Sequence, residues 1–132
     1  MHEKAFSKLT APEIGDLTQA FLEADVNPLE NITTVPTYYL YATPIKSLII
    51  PDNIKVISEC AFSYCRDLTE VYLPDNLTEI RSYAFSVCSK LKTLYYNRTR
   101  KEWDNIFLQA LWDDSHPLGR VVLCSDGEIQ LD

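Results

Sequence analysis

One period dominates the chain. Residues 45–67 (IKSLIIPDNIKVISECAFSYCRD) overlay residues 68–90 (LTEVYLPDNLTEIRSYAFSVCSK) without a gap, a repeat of 23 residues. Eight positions are identical: Pro51/Pro74, Asp52/Asp75, Asn53/Asn76, Ile57/Ile80, Ala61/Ala84, Phe62/Phe85, Ser63/Ser86 and Cys65/Cys88. A coil this short cannot bury its own apolar side, so the copies must stack and wall one another in. A third copy opens at Leu91, where Leu91, Leu94 and Tyr96 take the places of Leu68, Val71 and Leu73 before the pattern breaks. Upstream, ITTVPTYYLYATP reads as the back half of an imperfect copy, with Tyr39-Leu40 in place of Ala-Phe and one residue missing.

Within a copy, apolar-x-x-apolar-x-apolar ends in Pro-Asp-Asn. This predicts a short strand stopped by a residue without an N–H and by turn formers. Ile57, Ala61, Phe62 and Cys65 follow at a spacing that suits a tight turn folding an apolar face back over the strand. Stacking then places Leu48, Val71 and Leu94 in one column and Phe62 and Phe85 in another.

These residues resemble a known family. The pattern filled by Leu68, Val71, Leu73, Pro74, Leu77, Ile80, Ala84, Phe85 and Cys88 is similar to the BspA-like class of leucine-rich repeats. YYNRTRKEWDNI followed by VVLCSDG is similar to the tail that often closes such arrays, so the resemblance spans roughly residues 32–127. Two departures stand out: Ser58 and Arg81 occupy places where the family commonly has glycine, and Arg98 replaces a tail glycine. The resemblance implies interaction with proteins, and many relatives are surface adhesins.

A stack exposes an apolar cross-section at each end, which calls for caps. Thr10-Ala11-Pro12-Glu13 reads as a capping box, with Ile14, Leu17, Phe21 and Ala24 along one face, and predicts a helix at about 11–25. Its polar face carries Glu13, Asp16, Glu23 and Asp25, a poor match to anionic membrane. Thr99-Arg100-Lys101-Glu102 repeats the box, and Trp103, Ile106, Phe107, Ala110 and Leu111 then predict a second amphipathic helix. Arg120–Cys124 and Glu128–Leu131 flank Ser125-Asp126-Gly127, a hairpin signal. The expected fold class is therefore α+β: a short leucine-rich-repeat solenoid in one domain, with a helical N-terminal cap (1–31), repeats (32–98) and a helix-plus-hairpin C-terminal cap (99–132).

Chemistry is sparse. There are two histidines, His2 and His116, and no G-x-S-x-G, H-E-x-x-H, Walker loop or G-x-G-x-x-G. Three glycines in 132 residues leave little for phosphate-binding loops. Cys60 and Cys65 lack structural-zinc spacing, and Cys65 and Cys88 recur with the repeat, so all four cysteines read as thiols. Asp113, Asp114 and His116 read as a solvated turn in preference to a cation site. The sequons at Asn31, Asn76 and Asn97 are not expected to be glycosylated, and Asn76 and Asn97 are read as turn residues. No catalytic residue, metal or cofactor is expected. The net charge of −7 opposes nucleic-acid binding. Lys90, Lys92, Arg98, Arg100 and Lys101 form one basic patch, read as a solvated rim. No segment reads as a secretory signal or membrane span, so the expected location is cytoplasmic.

Side chains alternate across a strand, so with Leu48, Val71 and Leu94 inward, Ile49, Tyr72 and Tyr95 point outward. They form a stripe about 10 Å long, flanked by Ser47, Glu70 and Thr93. The sheet face is the expected partner-binding surface: Ile49, Glu70, Tyr72, Thr93 and Tyr95, with Lys92 and Arg98 from the basic rim. Its partner is a protein, with self-association a further option because the stripe is small for a standard interface. A small inhibitor docked on a larger enzyme is one form of this expectation; a structural, surface or virion-attached adhesion-type repeat protein is the alternative.

Overall fold

A computed structural model describes residues 33–115 and 117–131. The helix expected at about 11–25, and the N-terminal cap built on it, lie outside the described residues, as do Asn31, His2 and His116.

Two sheets run side by side through the stack. The front sheet has the order β2-β4-β6-β8-β9, from Ser47–Ile49 (β2), Glu70–Leu73 (β4), Thr93–Tyr96 (β6), Val121–Cys124 (β8) and Gly127–Gln130 (β9). The back sheet has the order β1-β3-β5-β7, from Thr34–Val35 (β1), Val56–Ile57 (β3), Glu79–Ile80 (β5) and Phe107–Leu108 (β7). All pairs are parallel except the β8–β9 hairpin. Registers follow the repeat: Leu48 pairs with Val71 and Val71 with Leu94, 23 residues apart each time. Val35 pairs with Ile57 at 22, the one missing residue of the upstream copy.

The core lies between the sheets. Val71, Leu94 and Val122 are fully buried, as are Val35, Ile57 and Ile80 on the opposite side. The Phe62 and Phe85 rings stack at 5.3 Å between centroids. Each such buried side chain contributes roughly 1.5–3 kcal/mol before entropy. The buried Ser63, Ser86, Cys65 and Cys88 groups find their partners on the neighbouring coil. Ser63 Oγ and Ser86 Oγ lie 2.6 Å apart, and the Cys65 and Cys88 thiols donate to Leu40 O and Phe62 O, each at 3.2 Å.

The corners behind the back sheet repeat as strictly as the strands. Tyr38, Cys60, Tyr83 and Leu111 all have φ between 58° and 64°, and Ala42, Tyr64, Val87 and Ser115 between 54° and 63°. These eight non-glycine residues take the left-handed conformation, each at about 1–2 kcal/mol. It is held by main-chain bonds between coils such as Phe62 N–H to Ala84 O (2.8 Å) and Phe85 N–H to Trp112 O (2.9 Å). Ser58, Arg81 and Arg98 are not among the positive-φ residues, so the family glycines they replace are not needed there.

The second amphipathic helix does not form as expected. Only Arg100–Trp103 is helical (α1), with the Thr99/Glu102 capping box present. Beyond Trp103 the backbone is claimed by the neighbouring coil: Phe107 N–H bonds Thr78 O and Gln109 N–H bonds Ile80 O, both at 2.9 Å. A longer helix would leave those two carbonyls of the preceding coil without these partners. Phe107 and Leu111, expected inside, are therefore exposed, while Trp103 and Trp112 are buried. The third copy is thus a complete coil with five extra residues at one corner, since Leu94 pairs with Val122 at a spacing of 28.

The C-terminal end is closed by charge. Asp113 follows Trp112 in the corner where Phe85 follows Ala84, and beside it Arg120 is fully buried. The Arg120 guanidinium donates to Leu91 O (2.7 Å) and Cys88 O (2.9 Å), with Asp113 Oδ2 at 3.8 Å. The hairpin then covers the last coil. Gly127 sits at φ +140°, a conformation that residues with a side chain rarely adopt, with the Arg100 side chain packed against it, and Asp126 Oδ1 accepts from Arg100 N–H at 2.9 Å.

Arg120→Ala removes a fully buried side chain and its bonds to Leu91 O and Cys88 O, and is expected to cost about 3 kcal/mol. Lys92→Ala, at the exposed register equivalent on the preceding coil, should stay within about 0.5 kcal/mol. Urea unfolding of both variants against the parent checks the contrast.

Candidate functional site

The outer face of the front sheet carries one continuous row. Ile49 pairs with Tyr72, Tyr72 with Tyr95, Tyr95 with Leu123, and Leu123 with Glu128. The row beside it runs Ser47, Glu70, Thr93, Val121, Gln130. Five of the expected residues, Ile49, Glu70, Tyr72, Thr93 and Tyr95, therefore lie together. Leu123, 40% exposed, belongs to the same row and was missed. The signal for it was present in VVLC (121–124), which matches TLYY (93–96) once five residues are allowed at the intervening corner.

The stripe is stacked at its centre. Tyr72 and Tyr95 stack with centroids 4.5 Å apart and planes within 8°. Rings packed face to face offer a partner their edges and hydroxyls, so the surface suits hydrogen bonding with apolar contact better than intercalation. Desolvation first, then the Glu70 carboxylate and Tyr95, push the Tyr72 hydroxyl above its ordinary pKa. Beside the pair lies an open groove of about 420 Å³, bounded by Tyr72, Tyr95 and Leu123 and by the polar Asn97 and Ser125. Cys124 also lines it, and burial holds its thiol above the usual pKa. Burial pushes the Cys88 thiol up to about 12, which makes it a packing group and not a nucleophile.

The basic rim is not one free patch. Arg98 donates to Glu102 Oε2 from Nε (3.0 Å) and Nη2 (2.6 Å), Arg100 sits 3.6 Å from Asp126, and Lys90 sits 3.6 Å from Asp67. Lys92 and Arg98 fall at opposite ends of β6, so the structure does not bring them together. The Asp113 carboxylate faces Arg120, not a cation site. Among the described residues no group of three or more His, Cys, Asp or Glu is arranged to hold a metal, and no helix is long and apolar enough to cross a membrane.

Stacked parallel strands linked by short corners, with one aromatic row on the outer face, define a repeat protein. The family described as BspA type leucine rich repeat region (6 copies) matches residues 19–110, and the chain belongs to it. Neither a curated protein nor a solved structure gives a match. Leucine-rich repeats generally mediate protein–protein interaction or adhesion, and the family is typically non-catalytic.

The Arg98/Glu102 pair gives a pH signature. Arg98 and the Thr99 backbone hold the Glu102 carboxyl at about 2, below its ordinary 4.5. Its contribution to stability is complete above pH 4.5 and is lost as pH falls through about 2. In urea titrations from pH 6 to pH 2, the stability difference between the parent and Glu102→Gln should hold level down to about pH 4.5 and shrink below it.

Proposed function

We propose that this chain is a non-catalytic binding module that holds a protein partner on the outer face of its front sheet. The observation that carries this reading is the stacked Tyr72–Tyr95 pair, kept at the surface in register with Ile49 and Leu123. Rigid aromatic side chains on a sheet lose little entropy on binding, which favours them in recognition surfaces. Glu70 and Thr93 flank the stripe, and Lys92 and Arg98 contribute from its two ends. An inhibitor docked on a larger enzyme is one form of this reading, supported by the small size and the charge of −7.

The test compares, by quantitative mass spectrometry, the proteins retained from the native host by the parent chain and by Tyr72→Ala/Tyr95→Ala, with matching far-UV spectra. Loss of one or more specific partners at least tenfold is expected. An unchanged set of partners removes the sheet face from consideration.

A further inference from the structure

Among the described residues the front sheet ends at β9 with no strand beyond it, and the residues of that edge are complementary to themselves. Leu131 N–H donates to Arg120 O at 3.0 Å. By the alternation of an antiparallel ladder, Gly127, Ile129 and Leu131 turn their backbone groups toward β8, while Glu128 and Gln130 turn theirs away. Among the described residues no strand pairs with that side. The side chains sort the same way: Glu128 and Gln130 are exposed on the outer face, while Ile129 and Leu131 pack half-buried against the end of the core.

We propose that this edge joins two copies of the chain, β9 against β9, antiparallel about a two-fold axis at Ile129. In that register Glu128 of each copy faces Gln130 of the other, and about four main-chain hydrogen bonds form between them. A glutamine amide opposite a carboxylate is a favourable pair; within one strand Gln130 Nε2 already reaches Glu128 Oε2 at 3.3 Å. Ile129 meets its own copy on the inner side and extends the apolar end. Leu131 falls opposite Gly127, where the Arg100 side chain of the other copy lies over the strand. Centring the axis on Glu128 instead sets carboxylate against carboxylate, which disfavours that register. The axis is perpendicular to the sheet, so both outer faces look the same way and the two tyrosine pairs share one ten-stranded surface about 24 Å apart. This last consequence rests on the sheet-face reading above; the dimer itself does not.

Sedimentation equilibrium of the full chain from about 10 µM to about 1 mM covers the weak range expected for so small a contact. The parent is expected to show a monomer–dimer equilibrium. Gln130→Glu places like charges opposite each other twice and should raise the dissociation constant about tenfold. Glu128→Gln/Gln130→Glu has the same charge as the parent and should restore the parent value. Both positions are exposed, so thermal unfolding at monomeric concentration should be unchanged. A parent that stays monomeric throughout overturns the proposal, as does a dimer indifferent to Gln130→Glu or one that the double exchange fails to restore. Tyr72→Ala/Tyr95→Ala should remain dimeric, so this proposal and the sheet-face reading fail separately.

Discussion

Everything in this molecule depends on a coil being unable to close on itself. A segment of 23 residues makes one front strand, one back strand and two corners, and its apolar side is sealed only by the coil before and the coil after. The parallel ladders fix the spacing, and the spacing decides which side chains align. Leu48, Val71, Leu94 and Val122 meet because their strands pair in register, and the same pairing sets Tyr72 flat against Tyr95 on the opposite face. Core and candidate binding surface are two sides of one constraint.

The same dependence makes the last coil a problem. A further Phe in the Phe62–Phe85 column would present an apolar ring to whatever follows. The chain changes chemistry instead: Trp112 and Asp113 fill that corner, and the buried Arg120 guanidinium takes up carbonyls of the preceding coil. The β8–β9 hairpin is tied to α1 by Asp126 and Arg100, so the closure is a short cooperative unit and not a long helix laid across the end.

Much of this was legible in the residues because it is periodic. The repeat length, the inward column, the outward Ile49–Tyr72–Tyr95 row and the hairpin turn all follow from spacing alone. The C-terminal helix misled because Trp103, Ile106 and Phe107 match a helical stripe by coincidence, and nothing local reveals that Thr78 O and Ile80 O on another coil need the N–H groups of Phe107 and Gln109. Leu123 was hidden by the same five-residue insertion. The pairing of Arg98, Arg100 and Lys90 with Glu102, Asp126 and Asp67 was only partly visible, since two of those acids come from outside the basic run.

The left-handed corners bear on how such a chain balances order against disorder. Glycine would adopt those eight backbone geometries without strain, yet it would also widen the range of shapes open to the unfolded polymer. Tyrosine, leucine, valine, alanine, serine and cysteine stand there instead, so native strain is partly offset by a stiffer denatured ensemble. The outcome is a row of bends held by the neighbouring coil and not by glycine, which leaves side chains at these positions for other contacts: Tyr38 and Tyr64 both pack against Tyr41.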